Sequence, residues 1–210
     1  MKPGFSPSRL VFTSLFGVLL TGCLLKTATV PPRHFVLTRI QADESSPTPR
    51  GDFSVEIGFV KMPAYLLRDS IAVRNGANEI EYLENALWAE RLDQSFQRAL
   101  MTDLYGSPPS DTIHVTETDR KKEIVRIFIN VQQFDVDAEG HGTLIAQWRI
   151  AASDGNESLR SGQTSLARTG AFPRGDPAAI ARTMSELTAE FSHELTRSLS
   201  GFAKAGAVSH

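Results

Sequence analysis

The sequence predicts an α+β domain in which two helices pack on one face of a mostly antiparallel sheet. Alternating apolar and polar residues mark strands in two blocks, and two further stretches repeat apolar residues at helical spacing. The blocks succeed one another as strands, helix, strands, helix, an order that suits segregated layers. With 210 residues, 41% hydrophobic and 22% charged, the chain has apolar material for one core of its own.

The first strand signal is the β-rich run His34 to Ile40. A loop rich in Ser, Pro and Gly, Asp43 to Asp52, separates it from a second strand. There Phe53, Val55, Ile57 and Phe59 alternate with Ser54, Glu56, Gly58 and Val60. Pro63 cannot donate to a ladder and so ends that strand, with Tyr65 and Leu66 covering the sheet end. Ile71 and Val73 lead through Asn75-Gly76-Ala77-Asn78 into Ile80 and Tyr82, a hairpin.

The first helix is read from Trp88, Leu92, Phe96, Ala99 and Leu100 on one face, with Trp88 anchoring its start in the core. Gly106 and Pro108-Pro109 stop it. Val125, Ile127, Ile129 and Val131 then alternate along a long strand that ends near Phe134. Leu144, Ala146, Trp148 and Ile150 form its neighbour across the turn Glu139-Gly140-His141-Gly142. Asp154-Gly155 turns into a polar run, Glu157 to Arg168, suited to a sheet edge. The second helix opens with Asp176 as N-cap and Pro177 at the first helical position. Its apolar stripe is Ile180, Met184, Leu187, Phe191, Leu195 and Leu199, and Glu186, Glu190 and Glu194 form a solvated row.

The N-terminus reads as an address. Lys2 and Arg9 precede the apolar run Leu10 to Leu20, which ends in Leu20-Thr21-Gly22-Cys23. Even stretched to Leu25 the run is shorter than the ~18–20 residues a spanning helix needs. Cys23 is the only cysteine, so the chain has no internal disulfide, thiolate cage or CxxC pair. Leu-Thr-Gly-Cys resembles the lipobox of bacterial lipoproteins, which implies cleavage after Gly22 and a diacylglyceryl group on the Cys23 sulfur. By the sorting rule of that class, Leu24 in place of Asp directs the protein to the periplasmic face of the outer membrane of a Gram-negative envelope. Loss of Lys2 and Arg9 moves the formal net charge from -2 to -4. A tether from Leu24 to Arg33 reaches at most ~35 Å. The organisation expected is a signal peptide over 1–22, a lipidated tether over 23–33, one domain over 34–203 and a flexible tail over 204–210.

Chemistry is sparse. No GxSxG elbow occurs, and His34, His114, His141, His193 and His210 lack ligand spacing, so no enzyme is indicated. Asp135, Asp137, Glu139 and His141 form the best metal-ligand series, but acidic residues at a strand end and turn are read as solvated, and no metal or cofactor is expected. With 22 basic against 24 acidic residues, and only Arg120-Lys121-Lys122 as a basic run, nucleic acid is not expected as a partner.

The densest set of recognisable features runs Val55-Glu56-Ile57-Gly58-Phe59-Val60-Lys61-Met62-Pro63-Ala64-Tyr65-Leu66-Leu67-Arg68, continues through Ile71 to Arg74, and ends with Trp88-Ala89-Glu90-Arg91-Leu92. This pattern resembles the ABC-type transport auxiliary lipoprotein family, the PqiC-type proteins. Phe134-Asp135, Leu144-x-Ala146-x-Trp148 and Asp154-Gly155 look like the family's second half. The resemblance implies an accessory lipoprotein of an MCE-type system that docks or assembles a conduit for lipids or other hydrophobic compounds. Its implied partners are an MCE-domain protein and the ABC and permease subunits; anchoring of many copies on one membrane also suits a homo-oligomer. Pro63, Tyr65, Leu66 and Arg68 are candidate partner contacts; Trp88, Glu90, Leu92 and Trp148 are structural. Alternatives are a lipid carrier with a pocket between sheet and helices, and an assembly or pilot lipoprotein for another envelope complex.

Overall fold

A computed structural model describes residues 30–40, 53–105, 123–152, 157–170 and 176–205. The lipobox, the Asp43–Asp52 loop, Gly106, Pro108-Pro109, Arg120-Lys121-Lys122, Asp154-Gly155 and the tail after 205 lie outside the described residues. The elements are β1 (Arg33–Phe35), β2 (Phe53–Lys61), a 3-10 turn (Ala64–Leu67), β3 (Ser70–Asn75), β4 (Glu79–Trp88), α1 (Leu92–Tyr105), β5 (Glu123–Asp137), β6 (His141–Ala152), β7 (Ser158–Thr169) and α2 (Pro177–Ala205).

Seven strands form one open sheet in the order β1-β4-β3-β5-β6-β7, with β2 also paired to β5. β5 organises it. Along one side it pairs antiparallel with β6; along the other it takes β2 on its first half and β3 at Val136 and Asp137, both parallel. β1–β4 is parallel as well, whereas β3–β4 and β6–β7 are antiparallel. The sheet is therefore mixed, with antiparallel ladders the longer part. Gly76 takes φ 71° at the β3–β4 turn and Gly140 takes φ 93° at the β5–β6 turn, left-handed positions that glycine adopts without a Cβ penalty.

Both helices cover one face. Val125, Ile127, Ile129 and Val131 point to it, and Phe134 and Val136 continue it because a bulge between Val131 and Gln133 changes the strand's parity. Phe96 of α1 meets Phe134 edge-on at 5.1 Å and stacks near Phe191 of α2 at 6.1 Å, which joins sheet and both helices in one core. Every residue of the expected α2 stripe is buried, and the Asp176 carboxylate accepts the Ala178 N–H at 3.1 Å as an N-cap. The buried face is wider than that stripe: Ser185 and Thr188 also lie inside, their hydroxyls donating to the carbonyls one turn back. Glu186 and Glu190 of the acidic row receive Arg168 from β7 at 2.7 and 3.4 Å.

α2 approaches the sheet over Gly142. A Cβ there would lie 2.6 Å from Thr183 Cγ2 and 3.0 Å from Leu187 Cδ1. Gly142→Ala is expected to push the helix outward and to cost about 1–3 kcal/mol. Urea denaturation reads this as a lower midpoint at unchanged slope, and an unchanged midpoint would contradict the close packing.

Three sequence expectations need correction. Trp88 is buried, but it closes β4 and does not start a helix; it and Ala86 bury the same side of a strand that pairs with β1, and α1 begins at Leu92. An apolar residue just before a helix satisfies either period, so the pattern alone misplaces it. Phe59 does not share the face of Val55 and Ile57. Ile57 pairs with Ile127 and Phe59 with Phe128, so Gly58 is an inserted residue that turns Phe59 to the opposite face, 55% exposed.

Finally, the run His34 to Ile40 is strand only at its start. Beyond Phe35 it becomes a strap over the helices. Leu37 N–H donates to Ser95 Oγ and Thr38 N–H to Ser185 Oγ, each at 3.1 Å, while Arg98 Nη2 donates to the Leu37 carbonyl at 3.2 Å. Leu37 is fully buried, and Ala89 N–H donates to the Phe35 carbonyl at 2.8 Å. Side-chain hydroxyls of both helices thus replace the ladder that a longer strand would have supplied.

Candidate functional site

The sequence points to the turn after β2. Pro63 stops the ladder and its carbonyl accepts the Leu66 N–H at 3.0 Å, which closes one 3-10 turn. That turn drives Leu66 into the core at 3% exposure and leaves Ala64 and Arg68 exposed.

Tyr65 is tied to the sheet face opposite the helices. Val73 pairs with Val136 and Arg74 with Asp137, so Arg74 and Asp135 lie on that outer side. Asp135, 1% exposed, collects four donors. Arg74 forks onto it through Nε to Oδ1 at 3.0 Å and Nη2 to Oδ2 at 2.6 Å. Tyr65 OH donates to Oδ2 at 2.7 Å and Gln133 Nε2 to Oδ1 at 2.9 Å. Burial, then the hydrogen bond and negative charge of Asp135, push the Tyr65 phenol well above its usual range, so it remains a donor. The turn is latched a second time: Tyr82 OH donates to the Tyr65 carbonyl at 3.1 Å, and the Arg68 guanidinium lies 4.7 Å over the Tyr82 ring.

The candidates therefore divide. Tyr65 and Leu66 fix the turn, Pro63 sets where it begins, and Arg68 presents its charge outward. Glu90 lies just before α1 and receives Arg98, which holds its carboxyl below the usual range. Leu92 is buried at the start of α1. Trp148 is buried against β7: its Nε1 donates to Thr164 Oγ1 at 3.0 Å, and a Cβ at Gly162 would lie 2.5 Å from its ring. The metal-ligand series does not converge. Asp135 is not solvated as its place near a strand end suggests: it is buried and committed to Arg74, while Asp137 accepts the Glu139 and His141 N–H groups and meets His141 Nδ1 at 3.0 Å. No group of three ligand side chains gathers among the described residues.

One surface escapes sequence reasoning. On the same outer face as the latched turn, Phe59 and Phe128 meet at 5.4 Å, and the Arg149 guanidinium lies 4.5 Å over Phe128. A shallow open groove of about 450 Å³ runs beside them past Asn130 and Gln147. Gly58 is the available signal, since a Cβ there would lie 2.6 Å from the Phe128 ring. A glycine amid alternating residues marks a bulge or a close approach, and here it marks both.

No helix among the described residues is long and apolar enough to cross a membrane. No curated protein matches the chain in sequence. Two crystal structures share the fold. One, of a Xanthomonas campestris protein in the DUF330 family, has a TM-score of 0.60 at 15% identity, over 83% of this chain and 97% of that one. The other, described only as an uncharacterized protein, has a TM-score of 0.58 at 14% identity, over 81% of this chain and 100% of its own. At such identity the likeness speaks for architecture alone. The sequence match is more specific: the model of the ABC-type transport auxiliary lipoprotein component fits residues 35–196, from the strap through the latched turn to the last turns of α2. On that match the chain belongs to the ABC-type transport auxiliary lipoprotein family.

Proposed function

We propose that this protein is an outer-membrane-anchored accessory subunit of an MCE-type ABC transport system. It docks or assembles the conduit through which lipids or other hydrophobic compounds move between membranes. The observation carrying this reading is the family match over residues 35–196, preceded by Leu20-Thr21-Gly22-Cys23. In this reading residues 1–22 are removed, Cys23 is acylated, residues 23–33 are the tether and residues 34–203 face the periplasm. The subunit does no catalysis. Its partners are an MCE-domain protein and the ABC and permease subunits, with further copies of itself in a homo-oligomer.

The outer face offers the surface for docking, with exposed Arg68 beside the latched turn and the Phe59–Phe128 pair beyond it. Aromatic and Arg side chains are the residue types that most often carry binding energy. Arg68→Glu is expected to lower recovery of the MCE-domain protein in co-purification about tenfold or more, a loss of about 1.4 kcal/mol or more. Its stability should fall only by the ~0.5–1 kcal/mol of an exposed cation–π contact over Tyr82, read from the urea midpoint. Equal recovery from the variant would remove Arg68 from the interface, and no association by the unaltered protein at high concentration would sink the docking reading. Bound phospholipid found repeatedly by native mass spectrometry would favour a carrier instead.

A further inference from the structure

The strap fixes where the tether enters the domain. β1 begins at Arg33, and from Phe35 onward the backbone is held by Ser95, Ser185, Arg98 and Ala89. The body therefore meets its tether at Arg33, ten residues after Cys23. Beside that entry point, on the helix side, an open groove of about 460 Å³ separates the strap from the first turns of α2. Phe35, Val36 and Ile40 supply its strap wall, and Ala178, Ala181 and Arg182 supply its helix wall. Val36 is 39% exposed, one of three large hydrophobic residues exposed among the described ones.

Two arginines flank this groove. Arg182 is exposed, and the exposed Arg33 lies 5.1 Å over the Phe35 ring. Among the acids, Glu186 lines the groove itself and is paired with Arg168 at 2.7 Å, and the Asp176 carboxylate accepts the Ala178 N–H at the start of α2. A small apolar strip rimmed by arginines suits the boundary between acyl chains and anionic headgroups. Such a strip would be a feeble membrane binder alone. On a tether of at most ~35 Å it need only orient a domain already held at the surface.

We propose that this groove is the face on which the domain rests against its own membrane. Val36 and Ile40 touch the acyl boundary, and Arg33 and Arg182 meet headgroup phosphates. The sheet's outer face, with Phe59 and Arg68, then points away from that membrane and towards an approaching partner. The inference rests on the lipid-anchor reading of Cys23.

The test uses full-length protein acylated at Cys23 in vesicles of phosphatidylethanolamine and phosphatidylglycerol. Because Cys23 is the only cysteine and its sulfur is acylated, one added thiol is a unique labelling site. Val36→Cys and Arg182→Cys probe the groove, and Ser161→Cys probes the outer face. Each carries an environment-sensitive fluorophore and is read for quenching by spin-labelled lipid. Labels at 36 and 182 should be quenched several-fold more strongly than the label at 161. Equal quenching at all three positions, or stronger quenching at 161, overturns the inference. So does a label at 36 that is shielded from aqueous iodide yet untouched by lipid quencher, because a protein then covers the groove. If Val36→Cys fails to fold, Arg182→Cys decides alone. Flotation separates the two readings: protein that does not float with the vesicles disproves the anchor itself, and this inference falls with it.

Discussion

Replacing Asp135 by alanine is expected to lower unfolding free energy by about 3 kcal/mol or more. The carboxylate is 1% exposed and accepts from Arg74, Tyr65 and Gln133 at once. Alanine removes the shared acceptor of a guanidinium, a phenol and an amide; the guanidinium keeps only its longer contacts to the Tyr65 hydroxyl and the Ala77 carbonyl, each at 3.3 Å. The Arg74 side chain keeps 23% of its exposure and can recover some hydration, which places the loss at the lower end of the usual range for a broken buried pair. An apolar pair, Asp135→Leu with Arg74→Met, should recover part of the loss because it buries no uncompensated charge. Urea denaturation of the single and double variants measures this. A single variant as stable as the unaltered protein would mean that the network adds nothing to stability.

Asp103 runs the other way, for its charge is a burden. Its side chain is 6% exposed on α1, and among the described residues Oδ2 accepts no hydrogen bond. Arg39 on the strap stands 3.8 Å from Oδ1, too far for a hydrogen bond. Burial, opposed in part by the Arg39 charge, raises the carboxyl from 3.8 to about 6. A folded value above the unfolded one means that the folded state holds this proton more tightly. The stabilisation is complete below about pH 4 and is lost as pH rises through about 6, which amounts to about 2–3 kcal/mol by pH 7.5. Asp103→Asn should therefore be more stable than the unaltered protein at pH 7.5, by up to that amount, and the gap should close towards pH 4. Comparing urea midpoints of the two proteins from pH 4 to 8 isolates this group from every other titration. A variant that is less stable at pH 7.5 would show that the Arg39 attraction outweighs the burial.

How much of the fold was legible in the sequence depends on how local each cause is. The β3–β4 hairpin rests on Asn75 to Asn78, with Gly76 left-handed at the turn, and the start of α2 rests on Asp176 and Pro177. Both are written within four residues. The long apolar alternation of β5 and β6 reports an antiparallel pair, since a short glycine turn permits little else. The parallel placement of β2 and β3 along one side of β5 has no local cause, because neither is joined to β5 by a short turn. Alternation misplaces Phe59 because a single inserted glycine changes the face of the residue after it. In the candidate site, Tyr65 and Arg68 are visible as a pattern, but their fastening is not. Arg74 meets Asp135 across 61 positions, a separation that residue spacing cannot encode.

The bulge in β5 leaves that strand with one residue of slack. Gln132 is the extra, exposed residue between Val131 and Gln133, which face Ala146 and Ile145 as successive partners on β6. Ahead of it odd-numbered side chains enter the core; past it even-numbered ones do. Taking Gln132 out would therefore let one unbroken alternation run from Val125 to Val136, with the isoleucines and Phe134 still inside and Asp135 still outside. Strand β6 has no such reserve, for Gly142, Leu144, Ala146, Trp148 and Ile150 already alternate without interruption. A residue lost from its middle would turn every side chain on one side of the gap to the wrong face. Two neighbouring strands of one sheet thus differ in how they bear a change of length, and the longer of them is the more forgiving.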